Sequence, residues 1–161
     1  RTDEIKKLEG SSRSFYFDLY SQWKKEQKGE TPFTPAVQLI FALDVAINEF
    51  MKEGYENRII RYEKLAEKMR NGLQKIGFEL ILHPKEMQSN ILTTIKMPEN
   101  MDYWKVHDKL KERGITIYSD ESVLNQRRFR VATLGSITEK DIDFFLKNLN
   151  EVLEECNLSI K

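Results

Sequence analysis

Apolar and polar positions alternate along most of the chain with periods that can be read as elements. Thr34 and Pro35 precede Val37, Ile40, Phe41, Leu43, Val45, Ile47 and Phe50. A hydroxyl residue before proline marks a helix start, because the side chain accepts from an early N–H and the fixed proline φ suits the first helical position. Thr34 is therefore expected as the N-cap. Apolar residues cover most of the helix's circumference, so it is expected to be largely buried. After Glu53-Gly54, a second helix is predicted from Ile59, Tyr62, Leu65, Met69, Leu73 and Ile76, with Gly77 as its stop and a charged outer face. Glu63, Lys64, Glu67 and Lys68 on that face read as solvated pairs one helical turn apart.

The second half reads as short strands and helices. Phe78 to Leu82, Asn90 to Lys96, Ile115 to Tyr118 and Arg128 to Leu134 have strand character, and Tyr103 to Arg113 reads as a helix closed by Gly114. A last helix, capped by Thr138, turns Ile142, Phe145, Leu149 and Val152 inward. The order helix, helix, strand, strand, helix, strand, strand, helix predicts an α+β fold, a small antiparallel or mixed sheet covered by helices on one face. Upstream, residues 11–23 are polar and then densely aromatic, too short for a domain and suited to docking on something larger. Residues 24–36 read as a charged, then proline-rich loop. The predicted division is residues 1–30 as a docking segment and 31–161 as the domain with its leading helices.

Composition narrows the function classes. The chain has 161 residues, 40% of them hydrophobic, which suffices for one core. Lys+Arg 26 balances Asp+Glu 26, so no overall field recruits nucleic acid or an acidic membrane. The aromatics Phe15, Tyr16, Phe17, Tyr20 and Trp23 lack interleaved cations and read as packing rather than base stacking. Cys156 is the single cysteine, so no internal disulfide can form, and a cytoplasmic setting is expected. No apolar run approaches a membrane span of about 18 residues. The first residue is Arg rather than Met, so the chain is expected to begin inside a longer protein.

No self-contained catalytic signature is present: no P-loop, GxGxxG, GxSxG or metal-spaced Cys/His pair. His83 and His107 are far apart and read as ordinary surface or packing residues. Two other features carry chemistry. In Thr31-Pro32-Phe33-Thr34-Pro35, hydroxyls stand beside a helix N-terminus, which suits a phosphate, although capping alone also explains Thr34. Arg130 alternates with Phe129 and Val131 in a strand fit for burial, and its fork matches a carboxylate or phosphonate. An arginine ladder on an edge strand, with Arg128, Arg130 and Ala132 on one face, is the competing reading.

Taken in order, RSFYFDLYSQW at 13–23, TPFTPAVQLIFALDVAI at 31–47, the EG, NR and RY pairs at 53–62, GFELIL at 77–82, SNILTTI at 89–95, GITIYS at 114–119 and FRVATLG at 129–135 resemble one family. The chain is similar to the C-terminal part of class V, fold-type I aminotransferases, most like the 2-aminoethylphosphonate:pyruvate transaminases among them. The resemblance implies a homodimer using pyridoxal 5'-phosphate, with a small-molecule amino donor and an oxo acid as substrates. It implies that the cofactor's Schiff-base lysine lies upstream of these residues, since Lys6 and Lys7 do not occupy its place, so that this stretch alone is inactive. It assigns Thr34, assisted by Thr31, to the cofactor phosphate of the partner subunit, and Arg130 to the substrate's acidic group. The sequence departs from the phosphonate-type pattern at Ser119-Asp120-Glu121 and at Ala132. A serine- or alanine:glyoxylate-type aminotransferase and a non-catalytic α+β interaction module are the alternatives.

Overall fold

The computed structural model describes residues 2–119 and 127–160. The chain divides into two compact units, Arg1–Lys52 and Glu53–Lys161. The first contains α1 (Thr2–Lys6), α2 (Leu19–Glu26) and α3 (Val37–Glu53), whose last residue already belongs to the second unit. α2 is a helix where docking segment and loop were expected. Asp18 caps it by accepting from the Ser21 N–H at 3.0 Å, which satisfies a donor that a helix start leaves orphaned. The Lys6 ammonium stands 5.9 Å from the Trp23 ring, joining α1 to α2.

The expectation that α3 is buried fails within this chain. None of its residues is buried by the described residues, and Leu39 and Phe41 are 71% and 67% exposed. The sequence pattern calls for a neighbour on several sides of α3, and these residues do not provide it.

The second unit holds α4 (Tyr55–Ile76), a 3-10 turn (Lys85–Met87), β1 (Leu92–Lys96), α5 (Tyr103–Glu112), β2 (Tyr118–Ser119), β3 (Arg128–Ala132) and α6 (Glu139–Glu155). The sheet order is β1-β3-β2, antiparallel throughout, with Thr94 and Tyr118 flanking Arg130 in register. The α+β expectation therefore stands, with the sheet fully antiparallel. Phe78 to Leu82 is not a strand, and only Leu80 makes a bridge, to Ile95. The predicted strand at Ile115 is shorter, confined to Tyr118–Ser119.

Alternation along β1 and β3 buries Thr93, Ile95, Phe129 and Val131 on the helix side of the sheet. Leu73 of α4, Val106 and Leu110 of α5, and Leu149 and Val152 of α6 meet Ile95 and Phe129 in one core. Each such side chain contributes about 1.5–3 kcal/mol on burial. Phe78 stands edge-on to Phe129, with centroids 5.5 Å apart. Gly77 takes φ 114° to close α4, the stop anticipated from its position. Thr138 caps α6 in a reciprocal box with Asp141. Among the described residues no helix is long and apolar enough to cross a membrane.

Candidate functional site

In the first unit, the loop before α3 is fixed by Phe33. Its ring packs against Tyr16 at 4.7 Å and edge-on against Phe15 at 5.8 Å, so part of the aromatic run holds the Thr-Pro-Phe-Thr-Pro turn. Thr31 and Thr34 flank that anchored residue and are both exposed. The first turn of α3 corrects the expected cap. Ile40 N–H donates to the Ala36 carbonyl at 3.1 Å, so the cap position is Ala36, two residues beyond Thr34, and the helix starts at Val37. The Val37 N–H turns back to the Pro35 carbonyl at 2.8 Å, which leaves Thr34 ahead of the helix rather than capping it. Thr31 and Thr34 thus present exposed hydroxyls in the turn ahead of the 17-residue α3.

In the second unit, Arg130 lies on β3, the central strand, so the edge-strand reading does not apply. Arg128, Arg130 and Ala132 share the face opposite Phe129 and Val131, as expected. Both arginines are partly buried. A cleft of about 430 Å³ borders Thr116, Tyr118, Arg130, Ile137 and Phe144.

The strand carrying Arg130 is tied down at its far end. Thr133 donates its N–H to the Ile91 carbonyl at 3.0 Å and its hydroxyl to the Asn90 carbonyl at 3.1 Å. Arg70, buried on α4, donates to the Ser89 carbonyl at 3.1 Å, and burial lowers its pKa. The segment entering β1 is thus held from both α4 and β3.

A charge cluster that the sequence reading missed sits next to this frame. Glu53 accepts from Arg61 Nε at 2.5 Å and Arg58 Nε at 2.6 Å. These hydrogen bonds, with Arg61's contribution the larger, hold its carboxyl at a pKa of about 2. Arg61 also donates to the Gly135 carbonyl at 3.0 Å, so Glu53 indirectly fixes the turn leaving β3. Glu53, Arg58 and Arg61 cross the Gly54 break, so no helical pairing rule reveals them; the EG, NR and RY pairs were the available signal.

The outer face of α4 also differs from expectation. Lys68 donates to Asp143 at 2.8 Å and Glu139 at 3.3 Å on α6, and Glu67 accepts from Lys85 at 3.4 Å. These charges pair between elements because α6 and the 3-10 turn bring partners closer than the next helical turn does. His107 approaches Asp108 at 2.9 Å and packs on Tyr103 and Trp104, while His83 is exposed. Asp120 and Glu121 lie outside the described residues.

No protein-family profile matches the chain. An uncharacterized aminotransferase of Methanocaldococcus jannaschii is 32% identical over 160 residues, covering 98% of this chain and 41% of that protein. The 2-aminoethylphosphonate–pyruvate transaminase of Lactiplantibacillus plantarum is 34% identical over 140 residues, covering 84% of this chain and 38% of its own. The crystal structure of a ureidoglycine–glyoxylate aminotransferase from Bacillus subtilis superposes with a TM-score of 0.88 at 26% identity, covering 99% of this chain and 42% of that one.

The fold is that of the C-terminal part of a fold-type I aminotransferase. By sequence, the relatives are class V aminotransferases, with 2-aminoethylphosphonate–pyruvate transaminases prominent among them. The chain spans about two-fifths of the length of the curated relatives it matches.

Proposed function

We propose that these residues form the C-terminal part of a pyridoxal-phosphate aminotransferase that moves the amino group of 2-aminoethylphosphonate to pyruvate, giving alanine and phosphonoacetaldehyde. The observation that carries the reading is Arg130, a partly buried cation on the central strand in the stretch FRVATLG, within a chain whose relatives include transaminases of that name. When bound, pyridoxal phosphate supplies the electron sink that lets an amino group leave one carbon and join another.

Thr34 and Thr31 have the donor chemistry for the cofactor's phosphate, with the N-terminus of α3 behind them. We assign them to the phosphate bound by a partner subunit, so the protein works as a homodimer. Arg130 grips the phosphonate of the donor and the carboxylate of the oxo acid in turn, because its five-donor fork accepts either group bidentately. That grip holds the substrate's acidic end and so aims its amino- or oxo-bearing carbon, while Thr133, Arg70 and Arg61 keep the strand ends in place. The Schiff-base lysine belongs to the part of the relatives that these residues do not cover, so this stretch alone has no transaminase activity. Residues 1–30 dock on that other part, and 31–161 form the domain with its leading helices. The reaction suits a cytoplasmic protein.

The close superposition on a glyoxylate aminotransferase favours a second reading, in which glyoxylate is the amino acceptor and serine or alanine the donor. Steady-state kinetics on the whole protein, wild type and Arg130→Ala, across both donor and acceptor sets separates the two. Loss of a bidentate charged contact is expected to lower kcat/KM with 2-aminoethylphosphonate about 100-fold, equivalent to about 2.7 kcal/mol. An Arg130→Ala protein with unchanged kcat/KM removes Arg130 from the site.

A further inference from the structure

A crevice between α4, residues 80–82 and β1 is bordered by Arg70, Leu80, Leu82, Gln88, Thr93 and Thr94 and has a volume of about 10 Å³. Two of these polar side chains are each only 5% exposed, Arg70 on α4 and Thr93 on the helix side of β1. The Arg70 guanidinium gives one donor to the Ser89 carbonyl at 3.1 Å. Among the described residues, no carboxylate comes within ion-pair distance of it, and the Thr93 hydroxyl meets no hydrogen-bond partner. Glu67 and Glu63, on the same helix, act on Arg70 only through longer-range charge, and Glu67 is already bound to Lys85 at 3.4 Å. A buried cation without a close counterion is costly, and a guanidinium does not relieve that cost by shedding its proton.

We propose that the crevice binds a single monatomic monovalent anion, a halide such as chloride, held by the remaining Arg70 donors and the Thr93 hydroxyl. A volume of this order admits one particle about the size of a water molecule, so phosphate, sulfate and carboxylates do not fit. Water would accept from both groups yet leave the charge uncompensated, whereas a halide accepts from both and balances the charge. Leu80, Leu82 and Leu92 add an apolar wall, beside which opposite charges are screened less than in open water. The anion would tie α4 to β1 one residue from Thr94, which stands beside Arg130 in register. It would steady that strand without touching substrate, and the site does not depend on Arg130 being the substrate clamp.

Crystals of the whole protein grown in sodium bromide and measured at the bromine absorption edge test occupancy. An anomalous peak in contact with both the Arg70 guanidinium and Thr93 Oγ1 is expected; water or empty density there overturns the proposal. Hydrogen exchange of the β1 amides, with chloride replacing gluconate at constant ionic strength, reads the effect in solution. For a Kd of about 10 mM, about 100 mM chloride raises protection about tenfold. Arg70→Gln should abolish the chloride effect. Thr93→Val, close in shape and suited to the case where the arginine variant misfolds, should weaken chloride about fivefold. Because the guanidinium does not titrate, the effect should be equal at about pH 6 and about pH 9. A bromide peak with no chloride effect in solution is binding at crystal concentration only and overturns the proposal. So does a chloride effect that survives in full in Thr93→Val, or one that is lost in Arg130→Gln, which would place the anion at the other arginine.

Discussion

Gly72, in the C-terminal part of α4, faces Leu146 of α6 at close range, and Gly72→Ala tests that packing. A methyl group there would overlap Leu146 Cδ1 on α6 and lie 2.8 Å from its Cδ2 and 3.0 Å from its Cγ. Two effects oppose each other. Alanine in a helix interior is favoured over glycine by about 1 kcal/mol. Displacing a packed leucine costs about 1–3 kcal/mol, and Leu146 is partly buried against the core, so a value near the middle applies. The expected net effect is a destabilisation of about 1 kcal/mol. In a Leu146→Ala background the obstacle is gone, and the same change should stabilise by about 1 kcal/mol, a coupling of about 2 kcal/mol. Urea unfolding followed by hydrogen exchange of α4 and α6 amides reads the second unit by itself. If Gly72→Ala stabilises equally in both backgrounds, α4 and α6 do not meet at this glycine.

The Glu53 carboxyl, at a pKa of about 2 against an ordinary 4.5, contributes stability that is fully present above the ordinary value and is lost as pH falls through about 2. The second unit's stability should fall over that window, and Glu53→Gln should flatten the fall; an unchanged acid profile contradicts the cluster. A hydrogen bond to a charged phosphate is worth about 1.5–3 kcal/mol, so Thr34→Val in the whole protein should weaken pyridoxal phosphate about 10- to 100-fold. Equilibrium dialysis followed by absorbance measures this, and unchanged affinity removes Thr34 from the phosphate site.

What was legible in the sequence follows the range of the forces involved. Local signals were read well: Gly77 and Thr138 end and begin their helices because capping depends on a few adjacent residues. Alternation along RFRVA correctly put Phe129 and Arg130 on opposite faces, and the α+β class held although Phe78 to Leu82 formed no strand. The start of α3 was placed two residues early because Thr-Pro is a cap signal that the chain uses here for a turn. α2 was missed because aromatic density concealed the Asp18 cap. Contacts that depend on tertiary approach left little trace in the sequence: Arg61 with Gly135 and Lys68 with Asp143 are far apart along the chain. The exposure of α3 reverses the logic, since its pattern was read correctly as apolar but the described residues do not cover it.

The most direct measurement mixes the whole protein, loaded with pyridoxal phosphate, with 2-aminoethylphosphonate and pyruvate, and follows alanine and phosphonoacetaldehyde together. The account predicts equal amounts of the two products, with alanine formation dependent on the phosphonate donor. Alanine or glycine formed only from other donors, with 2-aminoethylphosphonate left intact, would contradict it.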